Sequence, residues 1–195
     1  MSSARDEILG KVRAALSGIS TSSTGVGRPH GSAPDDVVAL FAERVADYRA
    51  TVVRCTPRTL RARIRAALPE GRVVVPAGLS ATIPDATVDD GLTAAELDGC
   101  VAVVTDAAVG IAETGTIVLD HGPGQGRRAI TLVPDVHVCI VRADQVVADV
   151  PDAMPRLDPA KPLTWISGPS ATSDIELDRV EGVHGPRTLH VLLVT

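Results

Sequence analysis

Hydrophobic positions near the start of the chain repeat with helical spacing and predict two helices. The first covers residues 3–17, and its apolar stripe consists of Ile8, Leu9, Val12, Ala15 and Leu16. The second begins at Pro34, and its buried face consists of Val37, Phe41, Val45 and Tyr48. Residues 17–32 are rich in Ser, Thr and Gly, which is typical of a flexible linker. We therefore expect an N-terminal helix with a linker over residues 1–33 and a single α/β domain over residues 34–195.

The pattern then alternates between strands and helices. Short apolar runs predict strands at residues 51–55, 72–75, 87–88 and 100–105. Helices are predicted between them, at residues 57–68 and 92–97. The run at residues 100–105 is apolar without alternation, as expected for a parallel strand that is covered on both faces.

The second half of the chain changes character. Residues 116–120, 129–133 and 137–141 predict three strands with short Gly- or Pro-bearing connections. Such connections are too short for parallel crossovers, so we expect these strands to be antiparallel neighbours. A helix is predicted at residues 151–157, followed by strands at residues 163–167 and 189–194. Together the two halves predict an α/β fold with one mixed, mainly parallel sheet and helices on both faces.

Composition narrows the class of protein. Aromatic residues make up 2% of the chain and the formal net charge is −5, which argues against a nucleic-acid-binding domain. The charged N-terminus lacks the apolar core of a signal peptide, and no apolar run approaches the roughly 20 residues of a membrane span. A cytoplasmic protein is expected. Cys55, Cys100 and Cys139 are far apart and form no C-x-x-C pair, so they predict reduced core cysteines rather than a metal or iron–sulfur site.

Glu113 is the first candidate for chemistry, because it stands in a turn of small residues before a strongly apolar run. Gly110 and Gly115 bracket it, and residues 116–119 predict a buried strand. A carboxylate at the edge of a core is costly unless its oxygens are paired or used. Two explanations stay open: backbone amides of the turn bind Glu113, or Glu113 faces a ligand.

Residues 122–128 are glycine-rich but do not match a phosphate-binding loop. Their spacing is neither G-x-G-x-x-G nor G-x-x-x-x-G-K-[ST], and a strand rather than a helix is predicted to follow. The segment therefore predicts a flexible hairpin. Alternation would send Arg127 and Arg128 to opposite faces of the next strand. One of them could clamp a carboxylate or phosphate beside the Glu113 turn, or both are solvated.

Residues 167–176 combine a Gly-Pro turn with several hydroxyl side chains. Ser173 and Glu176 match a capping box, which by itself indicates only the start of a helix, and Asp174 would favour the same helix end. Ser170 and Ser173 also place hydroxyls and free amides at a strand-to-helix turn, where open α/β sheets bind anions. Both roles can hold at once.

His184 lies in a Gly-Val-His-Gly-Pro segment before the last predicted strand. No H-x-x-x-H or H-x-x-E-H pattern accompanies it, so a zinc site is poorly supported. A structural or exposed histidine is the commoner case, and an acid, a base or an anion donor is the alternative. His121 and His137 have no acidic partner nearby in sequence and are weaker candidates. The chain also has no G-x-S-x-G nucleophile elbow.

These motifs together resemble the LUD domain of the lactate-utilisation protein C family, over about residues 98–195. The matching strings are AETGTIVL at residues 112–119, GR at 126–127, LVP at 132–134, SGPS at 167–170, SDIE at 173–176 and GVHGP at 182–186. The resemblance implies a three-layer α/β/α fold like that of the NagB, RpiA and CoA-transferase-like proteins. It also implies a role in oxidising L-lactate to pyruvate beside iron–sulfur partner proteins. This chain itself would then carry no cofactor, and the iron–sulfur clusters would belong to the partners.

Two functions of different class follow from the resemblance. In the first, the chain is a cluster-free ligand-binding or assembly subunit. In the second, it is an enzyme of the CoA-transferase or sugar-phosphate isomerase type, with Glu113 as nucleophile or base and His184 as a further catalytic candidate. A small anionic ligand is expected in either case. Its candidate contacts are Thr114, Gly115, Arg127, Gly168, Ser170, Ser173 and Asp174.

Overall fold

The computed structural model describes residues 4–18, 36–169, 171–172, 180–181 and 185–195. The chain forms two compact units, Met1–His30 and Gly31–Thr195. In the first unit, α1 (Ala4–Leu16) confirms the predicted helix, and none of its residues is buried. The predicted linker lies outside the described residues, apart from residues 17 and 18. None of the described helices has the length and apolar character needed to cross a membrane.

The second unit is built around a sheet of six parallel strands. In spatial order they are β1 (Thr51–Cys55), β12 (Thr188–Val194), β7 (Val136–Arg142), β4 (Ala102–Asp106), β2 (Val73–Val75) and β3 (Thr87–Val88). The described residues of this unit form four α-helices beside the sheets: α2 (Val37–Asp47), α3 (Leu60–Ala67), α4 (Ala94–Asp98) and α5 (Val150–Ala153). The expected α/β class, with a mainly parallel sheet flanked by helices, is confirmed.

Helix α2 shows how local sequence and core packing agree. It begins after Asp36, whose carboxylate accepts a hydrogen bond from the N–H of Ala39 at 2.8 Å. Its apolar residues Phe41 and Val45 are fully buried, as their spacing predicts. Pro34, at which this helix was predicted to begin, lies outside the described residues.

Successive residues of the central strand β7 enter cores on opposite faces of the sheet. Val138 and Ile140 pack with Ile64 of α3 on one face. Cys139 and Val141 pack with Phe41 of α2 on the other face. Burial on both faces explains why these strands appear in the sequence as continuous apolar runs.

A second sheet covers part of the α2 face. Its strands, in spatial order, are β8 (Val146–Val147), β5 (Val109–Ile111), β6 (Thr116–Leu119) and β9 (Thr164–Ile166). Strand β5 pairs with β8 in parallel, whereas β6 pairs with β5 and β9 in antiparallel fashion. Helix α5 packs on this sheet, and two further short strands, β10 (Ala171–Thr172) and β11 (Val180–Glu181), form a separate antiparallel ladder.

This arrangement corrects three expectations for the second half of the chain. The strands form two main sheets rather than one, because the β5–β6 hairpin covers the parallel sheet instead of extending it. The predicted antiparallel neighbours at residues 116–120 and 137–141 therefore lie in different sheets, and β7 is parallel to both of its partners. Strand β5 has no counterpart among the predicted strands.

The third correction concerns residues 129–133, which were predicted as a strand. The chain forms a short 3₁₀ helix at Arg128–Thr131 instead, and two more occur at Ala143–Gln145 and Met154–Arg156. Ile130 is fully buried in a core with Val74 and Val103 of the parallel sheet. The β-branched composition that suggested a strand therefore reflects packing of a single turn into the core.

Candidate functional site

Glu113 lies in the tight turn between β5 and β6. Its backbone N–H donates to the carbonyl oxygen of Ala148 at 2.9 Å, just beyond β8. Its side chain is exposed, and no hydrogen bond to another described residue holds the carboxylate. The backbone of the turn is therefore anchored to the second sheet, while the acid itself faces solvent.

The glycines of this turn and of the later Ser-Gly-Pro turn are required by packing against α2. Gly115 has φ +58°, and a Cβ there would stand 2.7 Å from the backbone carbonyl of Arg44. Gly168 has φ +90°, and its Cβ would stand 2.6 Å from the Cβ of Tyr48. Both glycines thus permit close approach of the C-terminal end of α2.

A chain of hydroxyl groups joins these two turns. The Oγ1 atoms of Thr114 and Thr116 lie 2.7 Å apart, and Thr116 Oγ1 lies 2.8 Å from Ser167 Oγ. Thr116 is buried, so its hydroxyl depends on these partners. The structure therefore brings the predicted site residues Thr114, Gly115 and Gly168 into one neighbourhood.

Arg127 is placed elsewhere. Its Nε donates to Asp89 Oδ2 at 2.8 Å and its Nη2 to Asp89 Oδ1 at 2.9 Å, with a further bond to the carbonyl oxygen of Leu92 at 2.5 Å. The hydrogen bonds from Arg127 lower the pKa of Asp89 and, reciprocally, raise the pKa of Arg127. This guanidinium thus joins the glycine-rich segment to the end of β3.

No hydrogen bond or ion pair among the described residues joins Arg127 to the Glu113 turn. Asp89 and Leu92 bind its guanidinium instead, so a role for Arg127 as an anion clamp beside Glu113 stays a prediction.

The glycine-rich segment is held by specific bonds rather than forming a hairpin. Gln125 is buried, and its Oε1 accepts from the N–H of Asp120 at 2.6 Å. His121 Nδ1 bonds to the carbonyl oxygen of Gly126 at 2.8 Å, and its Nε2 bonds to Thr164 Oγ1 at 2.9 Å. Since a carbonyl only accepts, Nδ1 carries the proton in the neutral ring and Nε2 accepts from the threonine. His121 therefore has a structural role.

Four predicted site residues, Ser170, Ser173, Asp174 and His184, lie outside the described residues, as does Glu176 of the predicted capping box. Their roles stay predictions. Among the described residues, Thr93 and Glu96 form a capping box at the start of α4.

The described residues enclose a cleft that we call the Arg128 cleft. It lies between the 3₁₀ helix Arg128–Thr131, strand β9 and the segment leading into β12, and its volume is about 140 Å³. The residues that define it are Arg128, Thr131, His137, Trp165, Ser167 and Gly185. Ser167 connects this cleft to the hydroxyl chain of the Glu113 turn.

His137 forms part of the cleft wall. Only 1% of the residue is exposed, and its Nε2 lies 2.8 Å from Thr105 Oγ1. Burial and the nearby Arg128 guanidinium lower the pKa of His137 to about 4, so the ring is neutral near pH 7. Burial likewise raises the pKa of the neighbouring Cys139 thiol to about 12, which makes this cysteine unsuited to nucleophilic chemistry.

Arg128 supplies the positive charge of the cleft. Its Nη1 donates to the carbonyl oxygen of Thr131 at 3.2 Å and to Thr131 Oγ1 at 3.0 Å. Partial burial lowers the pKa of Arg128, although a guanidinium stays protonated in proteins. These bonds fix the orientation of the side chain at the edge of the cleft.

Sequence reasoning did not select Arg128, His137 or Trp165 as a group. Two signals pointed to them. His137 is a polar residue inside an otherwise apolar strand, and Trp165 is the one tryptophan of an aromatic-poor chain. Arg128 was considered only together with Arg127, and the two guanidiniums have different partners. The strand on which alternation was to separate them is a 3₁₀ helix.

The described residues contain no group of three or more His, Cys, Asp or Glu side chains arranged to hold a metal ion. Cys55, Cys100 and Cys139 are each buried and unpaired by disulfides.

Comparisons with known proteins agree on one family. The sequence model of the LUD domain matches residues 33–194. Lactate utilization protein C of Deinococcus radiodurans is 47% identical over 171 residues, which cover 82% of this chain and 80% of that protein. Lactate utilization protein C of Bacillus subtilis strain 168 is 34% identical over 100 residues, and the match covers 47% of this chain but only 41% of that protein.

A solved structure is also similar. The crystal structure of a DUF162 family protein from Deinococcus radiodurans, at 1.70 Å resolution, superposes with a TM-score of 0.70 at 41% sequence identity. The superposition covers 82% of this chain and 96% of that chain. The same arrangement of sheets and helices therefore accommodates both sequences.

Proposed function

This chain belongs to the LUD domain family, and from that premise we propose that it acts in L-lactate utilisation as a subunit that binds a small carboxylate. The observation that carries the proposal is the 47% identity to a lactate utilization protein C across about four-fifths of both chains. In this proposal, oxidation of lactate to pyruvate takes place with iron–sulfur partner proteins, which hold the clusters. The chain contributes ligand binding or assembly of the complex.

The shape of the described domain supports a ligand-binding role. The Arg128 cleft combines a guanidinium, a neutral imidazole and an exposed indole in a space of about 140 Å³. Such a space is smaller than the roughly 300–1,000 Å³ of cofactor and drug-sized sites, so it suits a metabolite of a few non-hydrogen atoms.

Deletion of the gene tests the role in lactate utilisation. The expected result is loss of growth on L-lactate as sole carbon source, normal growth on pyruvate, and recovery when the wild-type chain is restored. Growth of the deletion strain on lactate at the wild-type rate would refute the proposal.

Affinity capture tests the partners separately. A tagged chain, isolated without oxygen from lactate-grown cells, is expected to retain proteins that contain iron and acid-labile sulfide. The matched control is the same tag on a truncated chain that lacks β12, a strand paired on both sides within the parallel sheet. Recovery of the full-length chain alone would contradict a role within a complex of iron–sulfur proteins.

The enzyme hypothesis depends on Glu113. Its exposed carboxylate leaves it accessible to a substrate, yet it is not among the residues that line the Arg128 cleft. Replacement by glutamine keeps the shape of the side chain and removes its nucleophilicity and basicity. If Glu113→Gln supports growth on lactate as well as wild type does, covalent catalysis by Glu113 is excluded. Loss of growth with unchanged folding and partner capture would favour the enzyme.

A further inference from the structure

The Arg128 cleft is lined by groups that suit a negative charge. None of its described lining residues is acidic, and Arg128 brings a permanent positive charge. Ser167 and Gly168, which are uncharged, also line the cleft. A small anion entering this cleft therefore meets complementary charge without a carboxylate to repel it.

His137 offers one unused nitrogen to this space. Its Nε2 is occupied by Thr105, and Nδ1 has no hydrogen-bond partner among the described residues. Because His137 is one of the residues that line the cleft, it can offer this nitrogen to a ligand there.

The Thr105 hydroxyl lets this histidine act as a donor. The single proton of this hydroxyl can go to Cys139 Sγ, 3.7 Å away, or to His137 Nε2, 2.8 Å away. When it goes to Nε2, the proton of the neutral ring is on Nδ1. The alternative tautomer presents a lone pair to the cleft and repels an anion. An anion in the cleft therefore selects the tautomer whose Nδ1–H points toward it.

Arg128 retains donors as well. Thr131 uses Nη1, whereas Nε and Nη2 have no hydrogen-bond partner among the described residues. Arg127 differs, because Asp89 and Leu92 already occupy its Nε and Nη2. Of these two adjacent arginines, Arg128 is the one with donors to offer a ligand.

We propose that the Arg128 cleft binds the carboxylate group of a short-chain 2-hydroxy- or 2-oxocarboxylate. The carboxylate accepts hydrogen bonds from the Arg128 guanidinium and from His137 Nδ1–H, and the short carbon chain lies against Trp165. The geometry calls for a small anion, and the choice of this class of carboxylate rests on the proposed function in lactate utilisation. Neither the Glu113 turn nor Arg127 takes part in this site.

Trp165 provides the test, because it is the one tryptophan of the chain and lines the cleft. Its fluorescence is titrated with L-lactate, pyruvate and inorganic phosphate at constant ionic strength, and calorimetry on the same samples reports binding independently of fluorescence. The expected result is saturable binding of lactate or pyruvate. Absence of binding by both methods, or tighter binding of phosphate than of both carboxylates, would overturn the assignment.

Variants locate the site. Arg128→Gln is expected to weaken carboxylate binding about 10- to 100-fold, as loss of a charge-assisted hydrogen bond does. His137→Gln is expected to weaken it about 5- to 10-fold, because the glutamine amide replaces Nε2 toward Thr105 but has no group at Nδ1. Arg65→Gln, an exposed change on α3 at the opposite face of the sheet, removes the same charge and should leave affinity unchanged.

Arg127→Gln supplies the competing outcome. If this variant loses binding while Arg128→Gln keeps it, the ligand lies on the Arg127 side and the inference is wrong. The result is separable from the proposed function. Loss of lactate growth on gene deletion without carboxylate binding would support the role in lactate utilisation and refute the site. Carboxylate binding without a growth defect would support the site and refute the role in lactate utilisation.

Discussion

Protonation of one buried side chain, His137, makes the stability of the folded protein depend on pH. The ring is 1% exposed, and its one hydrogen bond in the described chain goes to Thr105, which is itself fully buried. Burial and the Arg128 charge favour the neutral ring. The neutral ring can still donate a hydrogen bond to a bound anion, whereas adding a second proton to the ring is unfavourable in the folded protein.

His137 is therefore expected to make the protein sensitive to mild acid. Its pKa is about 4 when folded against 6.5 for the free side chain, so its stabilising effect is complete above pH 6.5 and is lost as the pH falls toward 4. Between pH 6.5 and pH 4 this histidine is protonated in the unfolded chain but neutral in the folded protein. The cost reaches about 3 kcal/mol at the lower end, at ~1.4 kcal/mol for each pKa unit.

Urea unfolding at pH 7 and pH 4.5 measures this effect. Wild type is expected to lose about 2–3 kcal/mol more stability between the two pH values than His137→Gln does, because the carboxylates that titrate in this range are common to both proteins. Equal losses in the two proteins would show that His137 is not the acid-sensitive group.

The candidate site was predictable at the level of residues only in part. Thr114, Gly115 and Gly168 are brought together, yet packing against α2 accounts for both glycines. The sequence could not reveal that Arg127 would be held by Asp89, which lies 38 positions earlier and closes a long loop. Such ion pairs depend on tertiary placement that no local pattern encodes.

At the scale of elements, close contact between glycine and helix is the main constraint on the second sheet. The turn before β6 and the turn that follows Ser167 both approach α2 through a glycine with positive φ. Because the obstructing atoms at Gly115 belong to the Arg44 backbone, they cannot move aside as a flexible side chain would. Position 115 therefore fixes the distance between the helix and the hairpin.

Gly115→Ala is expected to destabilise the protein by about 2–4 kcal/mol, since it adds a steric clash to the cost of a left-handed backbone. Gly91→Ala is the matched control, because Gly91 has φ +94° but no heavy atom within 4 Å of the added Cβ. The control should lose only about 1–2 kcal/mol. Equal losses, measured by chemical denaturation, would mean that contact with α2 contributes nothing at this position.

Strands and helices were predicted correctly where the spacing of apolar residues indicated one type of element, and wrongly where it fitted more than one. The parallel strands β1, β2, β4, β7 and β12 were all found from apolar runs. Their distribution between sheets was not predicted, because β6 is a continuous apolar run that is fully buried, as β2 is. Residues 129–133 failed for a related reason: core burial of Ile130 gives a 3₁₀ turn the composition of a strand.

At the scale of the whole molecule, the chain combines a compact α/β unit with an N-terminal helix that buries nothing. The apolar stripe of α1 is exposed, with Ile8 62%, Val12 48% and Leu16 58% accessible. The compact unit, by contrast, places apolar residues on both faces of its parallel sheet. Stability of the fold should therefore reside almost entirely in the unit Gly31–Thr195.

Deleting residues 1–30 is expected to leave the melting temperature of the remaining domain within about 2 °C of that of the full chain. A domain of this size shifts by roughly 2–4 °C for each kcal/mol, and none of the residues of α1 is buried. Thermal unfolding of both forms, followed by circular dichroism at 222 nm, provides the measurement. A matched deletion that removes β12 instead should abolish the transition, since that strand is paired on both sides within the parallel sheet. If removal of residues 1–30 lowers the melting temperature by 5 °C or more, the helix contributes to the stability of the domain and the division of the chain proposed from its sequence is wrong.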